Sequence, residues 1–102
     1  MILKNIWEKN KVLEKKIDKK DILQTENFNV AVVSLEEGQE IDPHPEPYGV
    51  FFLILEGTAI FTSELGKATL SENSSIYYKK NEVRGIKSET KLTLLAIHDP
   101  HQ

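Results

Sequence analysis

The sequence predicts an all-β fold, an antiparallel jelly-roll barrel with a short N-terminal extension, and three observations carry that expectation. From residue 21 onward, about eight short β-rich runs follow one another with turn-forming residues between them. The run Val50 to Leu55 is apolar without interruption, which in a strand means burial on both faces. The chain has 102 residues and is 39% hydrophobic, enough for one core and too short for two. The expected division is an extension over residues 1–20 and a barrel over residues 21–102.

In the extension, Ile2, Leu3, Ile6 and Trp7 follow a helix-like spacing that Val12, Leu13 and Ile17 continue imperfectly, so this stretch reads as a short helix or an irregular leader. Trp7 reads as an anchor against the domain or a partner subunit. After Asp21 the pattern is that of strands. Asp21 to Gln24 and the β-branched run Phe28 to Leu35 read as a hairpin about the turn residues Thr25 to Asn27. Gly38 ends it. Ile41 opens a segment whose prolines at 43, 45 and 47 exclude a helix and suit a bent or edge strand. Val50 to Leu55 reads as a buried strand, Gly57 as a bend and Thr58 to Ser63 as the next strand. Lys67 to Leu70, Ser75 to Lys79 and Val83 to Lys87 follow, divided at Asn73-Ser74 and Lys80-Asn81, and the last strand, Lys91 to His98, stops at Asp99-Pro100.

The chain contains no cysteine, which removes disulfide frameworks, thiolate nucleophiles and cysteine-bound metal sites and fits a reducing compartment. Its apolar runs fall far short of the roughly 20 residues of a membrane-spanning helix, and residues 1–20 lack the apolar core of a signal peptide. A cytoplasmic protein without membrane partners is expected. The net charge of −3 hides an asymmetry: residues 1–20 carry seven lysines against three acids, and the rest of the chain is acidic. Those lysines are interspersed with Glu8, Glu14 and Asp18 and accompany no DNA-reading motif, so they read as a solvated leader and no nucleic-acid partner is expected.

Gly38, His44, Glu46, Val50 and Gly57 fall on the spacing of the first cupin motif, G-x5-H-x-H, three or four residues, then E-x6-G. Asn73, Lys79, Asn81 and Arg84 lie in the frame of the second, G-x5-P-x-G-x2-H. From about Phe28 to Asp99 the chain therefore resembles the cupin family of double-sheet jelly rolls. The resemblance implies a site at four positions that in metal-containing cupins supply three histidines and one glutamate to iron, manganese, zinc or a similar ion. Here only His44 is retained in kind. Glu46 stands for the second histidine, Val50 for the glutamate and Arg84 for the last histidine.

Glu46 has oxygens to offer and shares a strand face with His44, whereas Val50 cannot ligate. A guanidinium has no lone pair to donate, and at ~4 Å with an effective dielectric of ~20 it would repel each unit charge on a metal by about 4 kcal/mol. The expected cofactor is therefore none, with one divalent metal ion held by His44, Glu46 and His98 as the alternative. An ion pair between Glu46 and Arg84 is the expected substitute for the metal. His98 and His101, spaced HxxH beside Asp99, read as an exposed tail in preference to a terminal metal site. Tyr77 and Tyr78 are adjacent, so only one can face inward.

The functional expectation is a small-molecule-binding barrel for an anionic or sugar-like ligand, with a degenerate metal site and His44, Glu46, Tyr48 and Arg84 at its mouth. The rival is an enzyme. It would be a metal-dependent oxygenase or isomerase using His44, Glu46 and His98, or a metal-free isomerase pairing His44 with a tyrosine, as the resemblance to sugar-epimerising cupins implies. Apolar side chains on both faces of Val50 to Leu55 exceed the needs of one small barrel interior, which leads to the expectation of a homodimer.

Overall fold

The structure, a computed structural model, describes residues 1–3 and 17–100. The expected helical spacing of the extension, the Trp7 anchor and His101 lie outside, or largely outside, the described residues.

Nine strands form among the described residues: β1 (Asp18–Gln24), β2 (Asn29–Leu35), β3 (Glu40–Pro45), β4 (Val50–Glu56), β5 (Ala59–Ser63), β6 (Gly66–Leu70), β7 (Ser75–Tyr78), β8 (Val83–Ser88) and β9 (Leu92–His98). They make a five-stranded sheet in the order β1-β2-β9-β4-β7 and a four-stranded sheet in the order β3-β8-β5-β6, with every pairing antiparallel. The all-β jelly roll is thus built as two facing sheets rather than one closed hydrogen-bonded ring. β1 starts at Asp18, so its first three residues come from the stretch read as extension.

Burial follows the strand period of two. On β4, Val50, Phe52 and Ile54 are buried while Phe51, Leu53 and Leu55 are half-buried on the opposite face. Leu92, Leu94 and Ala96 of β9, Val33 and Leu35 of β2, and Phe61 and Ile86 of the smaller sheet meet the buried β4 residues in one core. The adjacent tyrosines split as expected: Tyr78 is fully buried, its hydroxyl donating to the Thr62 carbonyl at 2.8 Å, and Tyr77 is exposed.

Glycines and one bulge set the geometry around the core. Gly57 ends the β4 segment at φ +95°, and a Cβ there would collide with the Lys91 carbonyl oxygen. Only glycine both adopts this φ readily and lets the backbones approach so closely. Between Ile41 and His44, β3 carries one extra residue relative to β8, since Ile41 pairs with Ile86 and His44 pairs with Arg84. This bulge is what organises the site.

Candidate functional site

Without the extra residue, His44 would alternate onto the outer face of β3, because Ile41 already faces the core and side chains reverse at each step. The bulge lets Asp42 and Pro43 occupy the outside together and returns His44 to the inner face. It needs room on β8, which Gly85 supplies: a Cβ there would lie 2.9 Å from Pro43 Cγ and 3.2 Å from Pro43 Cα. On β8, Arg84 and Ile86 point inward on either side of Gly85 and are buried.

These strands close over a cavity of about 180 Å³. Val33, Ile41, Val50, Phe52, Ile86 and Ala96 make the apolar part of its wall. His44, Glu46, Tyr48, Arg84 and His98, the residues singled out in the sequence, all line it as well, joined by Lys19 from β1.

His44 and Glu46 form a rim pair, with Nε2 2.9 Å from Glu46 Oε1 and Nδ1 2.8 Å from the Asp42 carbonyl oxygen. Both ring nitrogens thus face oxygen atoms. The two side chains are 43% and 30% exposed, so the pair contributes little stability, of order 0–1 kcal/mol.

The expected Glu46–Arg84 ion pair does not form. His44 takes the carboxylate, and the arginine turns to backbone oxygens instead. Its Nη2 donates to the carbonyls of Tyr48 at 2.8 Å and Lys79 at 3.0 Å, and its Nε donates to the Glu82 carbonyl at 3.3 Å. Its Cζ lies 5.3 Å from the Tyr48 ring centroid and 5.5 Å from that of Tyr78, cation–π distances. Nη1 is buried with no hydrogen-bond partner among the described residues, and no described carboxylate lies within 4.0 Å of the guanidinium.

Neither tyrosine serves as a counter-ion. Burial raises the Tyr78 hydroxyl to about 12, helped by the Glu82 charge and opposed by Arg84. Burial likewise raises Tyr48, with Glu46 adding to the effect and Arg84 opposing it. Both rings are therefore neutral near pH 7 and meet the arginine through their faces.

His98 corrects the expectation of an exposed tail: it is 4% exposed, inside the cavity wall, because it sits at an inward position of β9 opposite both Asn29 and Val50. Its Nδ1 lies 2.8 Å from the Asp99 carbonyl oxygen, which can only accept, so Nδ1 carries the proton. Its Nε2 lies 3.4 Å from Lys19 Nζ, and its ring tilts against Tyr48 at 5.3 Å between centroids. Among the described residues, no group of three His, Cys, Asp or Glu side chains is placed to hold a metal ion. Although His44, Glu46 and His98 line the same cavity, Nε2 of His98 faces an ammonium and Nε2 of His44 faces Glu46.

Lys19 is the site residue that sequence reasoning missed. It lies in the lysine-rich stretch, where its neighbours make it look like one more solvated charge. The available signal was the sequence Asp18 to Gln24 read as one strand, which puts Lys19 two positions from Asp21 on a common face.

No family model and no curated protein matches the sequence. Solved structures match strongly in shape. A protein from Thermus thermophilus superposes with a TM-score of 0.89 at 19% identity, covering 100% of both chains. An RmlC-like cupin from Desulfovibrio desulfuricans does so at 0.85 and 17%, covering 98% of this chain and 97% of its own. A cupin superfamily protein from Desulfitobacterium hafniense follows at 0.79 and 16%, covering 89% and 84%. Two facing antiparallel sheets, a cavity between them lined from the inner strands, and near-complete superposition on structures described as cupins give this protein the cupin fold.

Proposed function

We propose that this protein is a non-catalytic, small-molecule-binding cupin whose cavity takes an anionic ligand. The observation that supports this reading is Arg84: a buried, permanently charged guanidinium with an unpartnered Nη1 and no described carboxylate beside it. A buried cation is costly unless paired, and a buried polar atom without a partner calls for a missing water or ion. Lys19 adds positive charge around the same cavity, against the carboxylate of Glu46, which is the one acid among its described lining residues.

A second copy of the chain is the partner we propose. The outer face of the larger sheet carries Phe51 and Leu53 of β4 opposite Ile97 and Leu95 of β9, with Val30 of β2 alongside Ile97. Such a contiguous apolar patch is suited to self-association, and the absence of cysteine supports a reducing, cytoplasmic setting.

Thermal unfolding at fixed ionic strength, with chloride as the reference salt, tests the anion reading. Small carboxylates or inorganic phosphate should raise the Tm of the wild-type protein and leave Arg84→Gln unchanged. Equal shifts in both proteins, or a shift with no anion, would contradict it. Metal analysis of untagged protein covers the enzymatic alternative: near-stoichiometric metal that is lost in His44→Ala would replace the binding reading with a metal-dependent one.

A further inference from the structure

Arg84 has little donor capacity left, and its form narrows the ligand. A guanidinium carries five N–H groups. Nε and both hydrogens of Nη2 are matched by the three carbonyls of Glu82, Tyr48 and Lys79, so only the two on Nη1 remain. The two hydrogens of Nη1 diverge, so Arg84 can offer a ligand one charge-assisted hydrogen bond to a single oxygen rather than a bidentate grip, which is enough for a carboxylate, whereas a phosphate calls for donors from several directions. Glu46 stands at the rim of the same cavity and repels a second negative charge more than a first.

Beyond the polar groups of Lys19, His44, Tyr48 and His98, the rest of the wall is apolar, from Val33, Ile41, Val50, Phe52, Ile86 and Ala96. Sugar hydroxyls turned toward this apolar part would lose water without gaining partners, whereas a hydrocarbon body would gain by leaving water. The cavity, at about 180 Å³, is slightly larger than the ~150 Å³ apolar cavity that accepts benzene. It lies below the ~300 Å³ of pockets that take drug-sized molecules.

We infer that the ligand is a small monocarboxylate whose apolar body has the bulk of about one six-membered ring, with its carboxylate at Arg84 and its body against the wall formed by Phe52, Ile86 and Ala96. This rests on the anion reading above and replaces the sugar-like ligand with a defined chemical class.

Titration calorimetry of the full chain with benzoate, acetate, inorganic phosphate and benzyl alcohol at constant ionic strength tests it. Benzoate is expected to bind at least tenfold tighter than each of the other three. Acetate or phosphate binding as tightly as benzoate would overturn the inference and leave the anion reading standing. Benzyl alcohol binding as tightly as benzoate, or no binding of any probe, would overturn both. An Ala96→Leu variant, which fills the cavity, should lose the advantage of benzoate over acetate. A folded Ala96→Leu protein that keeps it would also overturn the inference, and the wild-type series decides the matter if that variant does not fold.

Discussion

Pro43 lies directly over Gly85, close enough that the hydrogen on Gly85 cannot be replaced by a methyl group without displacement of the proline. This contact seats the β3 bulge, and the bulge turns His44 toward the cavity. Gly85→Ala should therefore cost about 1–3 kcal/mol by overpacking. It should also weaken anion binding through the shift of His44. Denaturant titration and calorimetry on the same variant check both. Full stability with unchanged binding would mean that β3 can relocate freely.

Two positive-φ glycines of the first motif separate conformational cost from contact cost. Gly38, at φ +82°, would place a Cβ in open space, so Gly38→Ala should lose only about 1 kcal/mol. Gly57, at φ +95°, would drive a Cβ into the Lys91 carbonyl, so Gly57→Ala should lose well over ~3 kcal/mol or fail to fold. Similar losses in the two variants, measured by urea unfolding, would contradict this.

Tyr78 sets the alkaline limit. Its folded-state value, about 12, is above the ordinary tyrosine value of 10.0, so between those two pH values the native state holds a proton that the unfolded chain has released. Stability from this group is complete below pH ~10 and falls as pH rises toward 12, by a total of order 2–3 kcal/mol. Tyr78→Phe should remove this part of the slope while lowering stability near neutrality by about 1 kcal/mol, because the Thr62 carbonyl loses its donor. Denaturant unfolding measured across this pH range checks the sign.

Glu46 at the rim pairs with His44 and not with the buried Arg84. A double-mutant cycle of Arg84→Ala with Glu46→Ala should give a coupling within ~0.5 kcal/mol of zero. The cycle of His44→Ala with Glu46→Ala should give a small favourable coupling, up to ~1 kcal/mol. A large Arg84–Glu46 coupling would restore the ion pair that the sequence suggested.

Self-association is expected through the outer face of β4 and β9. Leu53→Glu, at a half-buried position of that face, should convert a dimer to a monomer in light-scattering measurements without altering the circular dichroism spectrum. A monomeric wild-type protein would remove the dimer from the account.

The strands were legible because turn glycines, prolines and asparagines bracket short β-branched runs, and the continuous apolar run correctly marked β4 at the centre of the core. His44, Glu46 and Arg84 were legible as candidate site residues because motif spacing is a property of strand period and loop length, both readable in the chain. Their partners were not. Arg84 binds backbone carbonyls of residues 48, 79 and 82, and main-chain acceptors leave no trace in residue identity. The bulge escaped for a similar reason, since one extra residue in β3 is visible only against the register of β8. His98 was misread as tail because Asp99-Pro100 ends the strand one residue later, hiding that its last position still faces inward.

The most direct test is a crystal structure of the protein grown with benzoate. The account predicts a carboxylate oxygen within hydrogen-bond distance of Arg84 Nη1 and the ring against Phe52, Ile86 and Ala96. Benzoate bound elsewhere, with Nη1 still unpartnered and the cavity holding only water, would contradict it.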